Sequence, residues 1–340
     1  MPEVQVTMPP LRFAQTVPAP SSALEDAVAP TSQEPRRGRL RAALVTLRPR
    51  QWIKNVLVIA AAGAAGALGH DDVPLRVGLA FAAFCMLASG IYAVNDVRDV
   101  EEDRLHPRKR FRPIAAGELD PRAATWLGVL LMAAGIVLCF AVRPLLALVG
   151  GGYLALTLSY TLLWRHLLLL DIVAIAGGFV LRAVAGGVAA PVTLSRWFLL
   201  VVTCAAVFVA AGKRQAELRR TEADAEAAVA GGGVVSAVAG GRRRVLAGYS
   251  VGRLRLILAA SAVATLFAYC VWAFELPAVH GFPWRPLTII PVAACLLRYG
   301  MLLRAGDGEA PEELLLADRP LQVAGLAWLV LFVLGVNAAS

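Results

Sequence analysis

The chain has 340 residues, 58% of them hydrophobic, and a formal net charge of +9 at pH 7. Soluble domains run nearer half apolar. Here the excess is gathered into blocks of about 20 residues, the length that crosses a hydrocarbon core of about 30 Å, so a soluble globular domain is excluded. The basic residues sit in the loops between these blocks, which reads as membrane topology or an anionic ligand rather than nucleic acid.

Residues 1–35 are rich in Pro, Ala, Ser and Thr and lack periodicity. A disordered tail is expected there. It has no basic start followed by an apolar run, so it does not read as a signal peptide. Residues 40–340 form the membrane domain, with nine predicted spans near 51–68, 75–97, 122–141, 144–163, 168–189, 194–212, 252–274, 286–304 and 320–338. The expected fold class is therefore all-α, a polytopic bundle of nine transmembrane helices. Cys85, Cys139, Cys204, Cys270 and Cys295 all lie inside apolar blocks without metal-ligand spacing. They read as core thiols, and no disulfide framework is implied. Residues 221–247 are Ala/Gly-rich and read as a flexible cytoplasmic insertion, with room for a short amphipathic helix at its start.

The loops alternate in charge. Arg36 to Arg50, Arg98 to Arg112, and Lys213 to Arg244 are basic stretches, whereas "GHDDVP" and "ELPAVHGFP" are nearly free of Lys and Arg. Positive loops stay inside. The reading is a cytoplasmic (inner) membrane protein with its amino terminus inside and its carboxyl terminus outside.

The second span runs directly into "NDVRDVEEDRLHPRKRFRP", residues 95–113. If the helix continues through Arg104, each residue turns about 100°. Asn95, Asp96, Asp99, Glu102 and Asp103 then share an arc of about 120°. Crowded carboxylates repel and are costly to desolvate. A divalent cation relieves both problems, and an all-oxygen donor set favours Mg²⁺ over zinc. Arg108, Lys109, Arg110 and Arg112 would then surround a polyphosphate shared with the metal. The competing reading is a solvated helix end laced with surface ion pairs.

At these residues the sequence resembles the UbiA superfamily of intramembrane prenyltransferases, whose first aspartate-rich motif is N-D-x-x-D-x-x-x-D. It is most similar to the decaprenyl-phosphate phosphoribosyltransferase branch, through "LRPRQWIKN" (47–55), "NDVRDVEEDRLHPRKRFRPIAAG" (95–117), "LLDIVAIAGGFVLRAVAGG" (169–187) and "GKRQAEL" (212–218). The resemblance covers residues 40–340. It implies a nine-helix bundle, a site open to the cytoplasm, Mg²⁺ as cofactor, phosphoribosyl diphosphate as donor and a polyprenyl (decaprenyl) phosphate as acceptor. The aromatic prenyltransferases of the superfamily carry a second acidic motif near the sixth helix. Here that region reads "AAGKRQAELRR", with Lys213 and Arg214 in place of paired acids.

In this frame Asn95, Asp96, Asp99, Glu102 and Asp103 are the metal candidates. Lys54, Arg108, Lys109, Arg112, Tyr160, Arg165, Arg182, Lys213 and Arg214 are the donor and phosphate candidates. Asp99, Asp103 and Asp171 are assigned to catalysis. Asp171 and Arg182 lie eleven residues apart within one span, close to three turns, hence on one face, and ionisable groups inside spans are usually functional. Each has a plainer reading: Lys54 as a snorkelling side chain beside the interfacial Trp52, Tyr160 and Arg165 as interfacial anchors, Asp171 and Arg182 as structural partners of other helices. His106 reads as a base or as turn chemistry before Pro107, and it is not assigned to catalysis because the acceptor phosphate is already anionic. Prenyl transfer to an aromatic acceptor and anion transport are the alternative functions. A homo-oligomer is compatible with the sequence.

Overall fold

The computed structural model describes residues 38–70, 72–164, 168–230, 251–275, 283–306, 308 and 311–337. Among them all regular structure is helical. In chain order the α-helices are α1 (Arg39–Thr46), α2 (Val56–Ala64), α3 (Val73–Arg98), α4 (Val100–Leu105), α5 (Pro121–Val142), α6 (Pro144–Ser159), α7 (Leu168–Ala189) and α8 (Arg196–Ala230). They continue with α9 (Val251–Glu275), α10 (Trp284–Leu287), α11 (Ile289–Ala305), α12 (Pro311–Ala317) and α13 (Arg319–Asn337).

Local chemistry sets several ends. Asp120 caps α5 by accepting from the Ala123 N–H at 3.1 Å, with Pro121 in the first turn. Arg143 alone separates α5 from α6, because Pro144 has no N–H to extend the previous helix and a fixed φ suited to starting the next. Gly306, at φ 99°, stops α11 in the left-handed conformation that glycine adopts without strain.

Among the described residues eight helical stretches are long and apolar enough to cross a membrane: Val73–Arg98, Pro121–Val142, Pro144–Leu163, Leu170–Ala189, Arg196–Arg220, Gly252–Glu275, Trp284–Ala305 and Arg319–Val336. The remaining expected span, 51–68, is compound. A 3-10 turn, Pro49–Asn55, leads into α2, and a second turn, Ala67–Gly69, follows Gly66 at φ 69°. The nine residues of α2 rise only about 14 Å. Pro49 at one end and glycines 63 and 66 at the other limit its length, and its Val58, Ala61 and Ala62 are buried.

The acidic segment also differs in detail from one straight helix. Asp99 (φ −90°, ψ 9°) interrupts the α geometry between α3 and α4. The bonds Asp99 N–H to Asn95 O (2.9 Å) and Asp103 N–H to Asp99 O (2.8 Å) carry the turn across this joint. Farther on, α8 continues to Ala230, so the first ten residues of the expected linker are helical. The rest of that segment, the tail 1–35 and Arg165 lie outside the described residues.

The most buried membrane helices are α3 and α7, while α5, α6, α11 and α13 present most of their surface outward. Trp126, Leu148, Leu297 and Val323 are exposed apolar side chains of those outer helices, as a lipid-facing surface requires. Where α3 crosses α5 the two backbones nearly touch. A Cβ on Gly90 would lie 2.6 Å from the Gly128 carbonyl oxygen, and one on Gly128 would lie 3.0 Å from that of Gly90. Small residues at the crossing let membrane helices pack this closely. The two central helices carry the polar groups of the site.

Candidate active site

The acidic segment is tied together by cations. Asp96 and Asp103, only 4% and 2% exposed, face one another across Arg112. One guanidinium nitrogen of Arg112 donates to Asp96 Oδ1 at 3.1 Å and to Asp103 Oδ2 at 2.6 Å. Arg48 donates to Asp96 Oδ1 at 2.5 Å, and Lys109 Nζ lies 3.7 Å from Asp103 Oδ1. Arg48 holds φ 52°, the one positive φ of a non-glycine residue among the described residues. That conformation costs about 1–2 kcal/mol. It starts the 3-10 turn and sets the guanidinium 5.0 Å over the Tyr92 ring. Trp52 in the same turn donates to Ser89 Oγ at 3.0 Å, which itself donates to the Leu47 carbonyl at 2.9 Å, locking the turn onto α3.

Asn95 Oδ1 is buried without a hydrogen-bond partner. A buried acceptor left unmet costs about 1–3 kcal/mol, and it stands beside Asp96 and Asp99 at the head of the motif. An orphaned oxygen amid an all-oxygen donor set fits a hard divalent cation. Among the described residues no three His, Cys, Asp or Glu side chains already converge on one point. Glu102 is exposed and Asp99 half-buried. Arg108 is also exposed, and His106 Nδ1 accepts from the Arg108 and Lys109 backbone N–H groups at 3.2 and 3.3 Å, which makes it part of the local turn.

A second cluster joins α6, α7 and α8. Asp171, 3% exposed, accepts from the Tyr160 hydroxyl and from both Nε and Nη2 of Arg214, the latter at 2.6 Å. Arg214 also pairs with Glu217 one turn on. Tyr160 begins a π-helical turn, Tyr160–Trp164, whose Thr161 and Leu162 carbonyls accept from Arg98 at the end of α3. Both oxygens of Asp171 and most of the Arg214 fork are therefore engaged within the protein.

Arg182, the other ionisable group of α7, is separate from Asp171. It is 6% exposed and has no carboxylate partner among the described residues. Its donors meet Asn55 Oδ1 at 2.7 Å, Gly178 O at 3.0 Å and the Tyr153 hydroxyl at 2.7 Å. Its guanidinium carbon lies 4.7 Å from the Tyr153 ring centre and 5.6 Å from that of Phe179. Neutral acceptors and aromatic faces orient this cation without cancelling its charge.

Lys54 sits nearby. Its Nζ donates to Gln51 Oε1 at 2.5 Å and lies 3.3 Å from Glu312 Oε2. Arg48, Arg182 and Glu312 act electrostatically on it. The Lys213 ammonium has no ion-pair or hydrogen-bond partner among the described residues, yet it lies within electrostatic reach of Lys54, Arg214, Glu217 and Glu312. The Lys54, Arg182 and Lys213 groups thus form one basic neighbourhood contributed by the 3-10 turn, α7 and α8.

Residues 56–336 match the UbiA prenyltransferase family. The chain belongs to the UbiA prenyltransferase family. Similar curated UbiA relatives include the decaprenyl-phosphate phosphoribosyltransferase of Corynebacterium glutamicum, 41% identical and covering 89% of each chain. The protein of the same name from Mycobacterium tuberculosis is 40% identical over 83% of this chain and 90% of its own. Among solved structures, a UbiA homolog from Archaeoglobus fulgidus bound to GPP and Mg²⁺ superposes with a TM-score of 0.63 at 16% identity, covering 87% of this chain and 99% of that one. The all-α UbiA fold expected from the sequence is present.

Several residues of this UbiA site escaped the sequence reading. Arg48 and Asn55 stand inside "LRPRQWIKN" beside Lys54, where a positive φ and a side-chain amide leave no periodic signal. Tyr92 and Tyr153 look like ordinary aromatic residues of a span until Arg48 and Arg182 are seen against them. Glu312 follows Pro311 in what reads as a plain loop, and only the packing of α12 on the 3-10 turn brings it to the site.

Proposed function

We infer that the chain transfers a 5-phosphoribosyl group from phosphoribosyl diphosphate to a polyprenyl phosphate, decaprenyl phosphate in the first instance, and releases diphosphate. What carries this reading is the identity of 40–41% to phosphoribosyltransferases of that acceptor over nearly the whole of both chains. The cations at the position of the second acidic motif support it.

The oxygen set Asn95, Asp96, Asp99, Glu102 and Asp103 would hold Mg²⁺, which supplies positive charge against the departing diphosphate. Lys54, Arg108, Lys109, Arg112, Arg182 and Lys213 bind and orient phosphate oxygens, and fixed cations in a water-poor site stabilise charge where it develops. Asp171 and Tyr160 keep the Arg214 fork in one orientation beside Lys213, and Arg165 is kept as a candidate donor contact. An oxygen of the lipid phosphate forms a bond to the anomeric carbon as the bond from that carbon to the diphosphate oxygen breaks. The electron pair leaves with diphosphate, and attack from the opposite face inverts the carbon. The acceptor is already anionic, so the step needs no strong base.

In this reading 51–68 is a ninth crossing, the acidic and basic loops face the cytoplasm, the carboxyl terminus lies outside, and the product serves arabinan precursor synthesis. A homo-oligomer is compatible with this reading. Purified protein incubated with Mg²⁺, labelled phosphoribosyl diphosphate and decaprenyl phosphate should yield a labelled lipid. Label transfer only from a prenyl diphosphate to an aromatic acceptor would replace this reading with the other activity of the family.

A further inference from the structure

Glu312 lies on α12, a seven-residue helix between the last two long helices, and is 8% exposed. It comes from the far end of the chain to the 3-10 turn that carries Lys54. Gln51 Nε2 donates to Glu312 Oε1 at 2.5 Å, Gln51 Oε1 accepts from Lys54 Nζ at 2.5 Å, and Glu312 Oε2 stands 3.3 Å from the same ammonium. The three side chains close a triangle. Glu312 Oε2 makes an ion contact without hydrogen-bond geometry and is otherwise unmet. A mere tether between chain ends would not need a carboxylate in the middle of a basic site, where it opposes phosphate binding.

The charges around Lys54 supply the reason. Arg48 precedes it, Arg182 faces it from α7, and Lys213 approaches from α8 beside the paired Arg214 and Glu217. Cations that act on one another disfavour a further charge on a partly desolvated amine. Glu312 is the anion that acts on both Lys54 and Lys213. We propose that Glu312 is a positioning residue for the donor: through the Gln51 triangle it keeps Lys54 charged and aimed at the donor phosphates. This rests on the phosphoribosyl-transfer reading for the identity of the donor.

The test compares Glu312→Gln, Glu312→Asp, Lys54→Ala and the Lys54→Ala/Glu312→Gln double variant in purified full-length protein. Donor KM, acceptor KM, kcat and melting temperature are read, together with binding of inorganic diphosphate in the presence of Mg²⁺. Glu312→Gln should raise donor KM about tenfold, leave acceptor KM within about twofold, and bring the alkaline fall of kcat/KM for the donor to lower pH. Glu312→Asp should recover part of the loss. The double variant should be no worse for the donor than Lys54→Ala, because Glu312 acts through Lys54. Losses that multiply in the double variant, or an unmoved donor KM and alkaline limb with only a lowered melting temperature, would overturn the proposal. Diphosphate binding separates the two readings. If the native protein transfers no phosphoribosyl group yet Glu312→Gln weakens diphosphate binding, the donor assignment fails and the positioning role stands. If diphosphate binding is unchanged by Glu312→Gln, the positioning role fails whatever the protein transfers.

Discussion

Replacing Asp171 by Asn tests the buried cluster between α6, α7 and α8. The change keeps the shape and removes one charge. Asp171 accepts two N–H groups from Arg214 and the Tyr160 hydroxyl while 3% exposed. Asn offers one acceptor oxygen and turns an NH₂ toward a donor fork. Removing one partner of a buried ion pair costs about 3–5 kcal/mol. Glu217, itself 22% exposed, still pairs with Arg214, so the low end, about 3 kcal/mol, applies. At about 1.4 °C per kcal/mol for a chain of 340 residues the melting temperature should fall by about 4 °C. Tyr160→Phe removes one hydrogen bond to a charged group and should cost about 2 kcal/mol. The informative measurement is a thermal-unfolding cycle in detergent with Arg214→Gln and the double variant. The double variant should lose less than the two single losses added together, since it leaves no lone buried charge. An Asp171→Asn protein melting within about 2 °C of native, or strictly additive losses, would refute the account of the cluster.

Four further outcomes are expected. Asp99→Asn and Asp103→Asn should each lower kcat at least about 100-fold, the scale of losing one electrostatic stabiliser in a site, with melting temperature little changed for Asp99→Asn; near-native turnover across a Mg²⁺ titration would remove the metal-face assignment. Lys213→Ala should raise donor KM several-fold more than acceptor KM, because Lys213, unlike Arg214, has no partner among the described residues; movement of the acceptor parameter alone would reassign it to the lipid phosphate. Burial pushes the Glu312 carboxyl up, but the Lys54 charge and the Gln51 hydrogen bond outweigh it and hold it below its ordinary 4.5. A depressed carboxyl stabilises the fold above its unfolded pKa and loses that contribution as pH falls through its folded value, so the melting advantage over Glu312→Gln should be full at pH 7 and shrink below about pH 4.5. Single cysteines in a variant lacking the native five should label from outside near Asp72 and not near Ala116, and the reverse in sealed, oriented cells would leave a cytosolic donor without access.

The long elements were legible because membrane spans write themselves as apolar length: seven of the eight full helices lie within about two residues of the expected spans, while the expected 194–212 continues as a helix well past its end. The first span was less so. Composition reports hydrophobicity but not the break that Pro49 and Gly66 impose, and α2 is short although its residues are apolar. At the site, helical spacing put the five oxygen-bearing residues on one face but did not encode the break at Asp99, across which Arg112 joins Asp96 of α3 to Asp103 of α4. It placed Asp171 and Arg182 on one helix but could not foresee that they serve different partners, Arg214 and Asn55. Contacts such as Arg48 with Asp96, or Lys54 with Glu312, join distant parts of the chain. No local pattern encodes them.

The contact between Gln51 and Glu312 spans 261 residues of sequence. During synthesis at about 5–20 residues per second, Glu312 emerges roughly 13–50 s after Gln51. Throughout that interval the first basic turn is already at the membrane surface while its counter-charge is unmade. A nascent or prematurely ended chain can hold every acidic residue of the 95–103 motif and still lack the last corner of the triangle. A ribosome stalled before α12 therefore leaves a bundle whose Lys54 has no Glu312 to pair with.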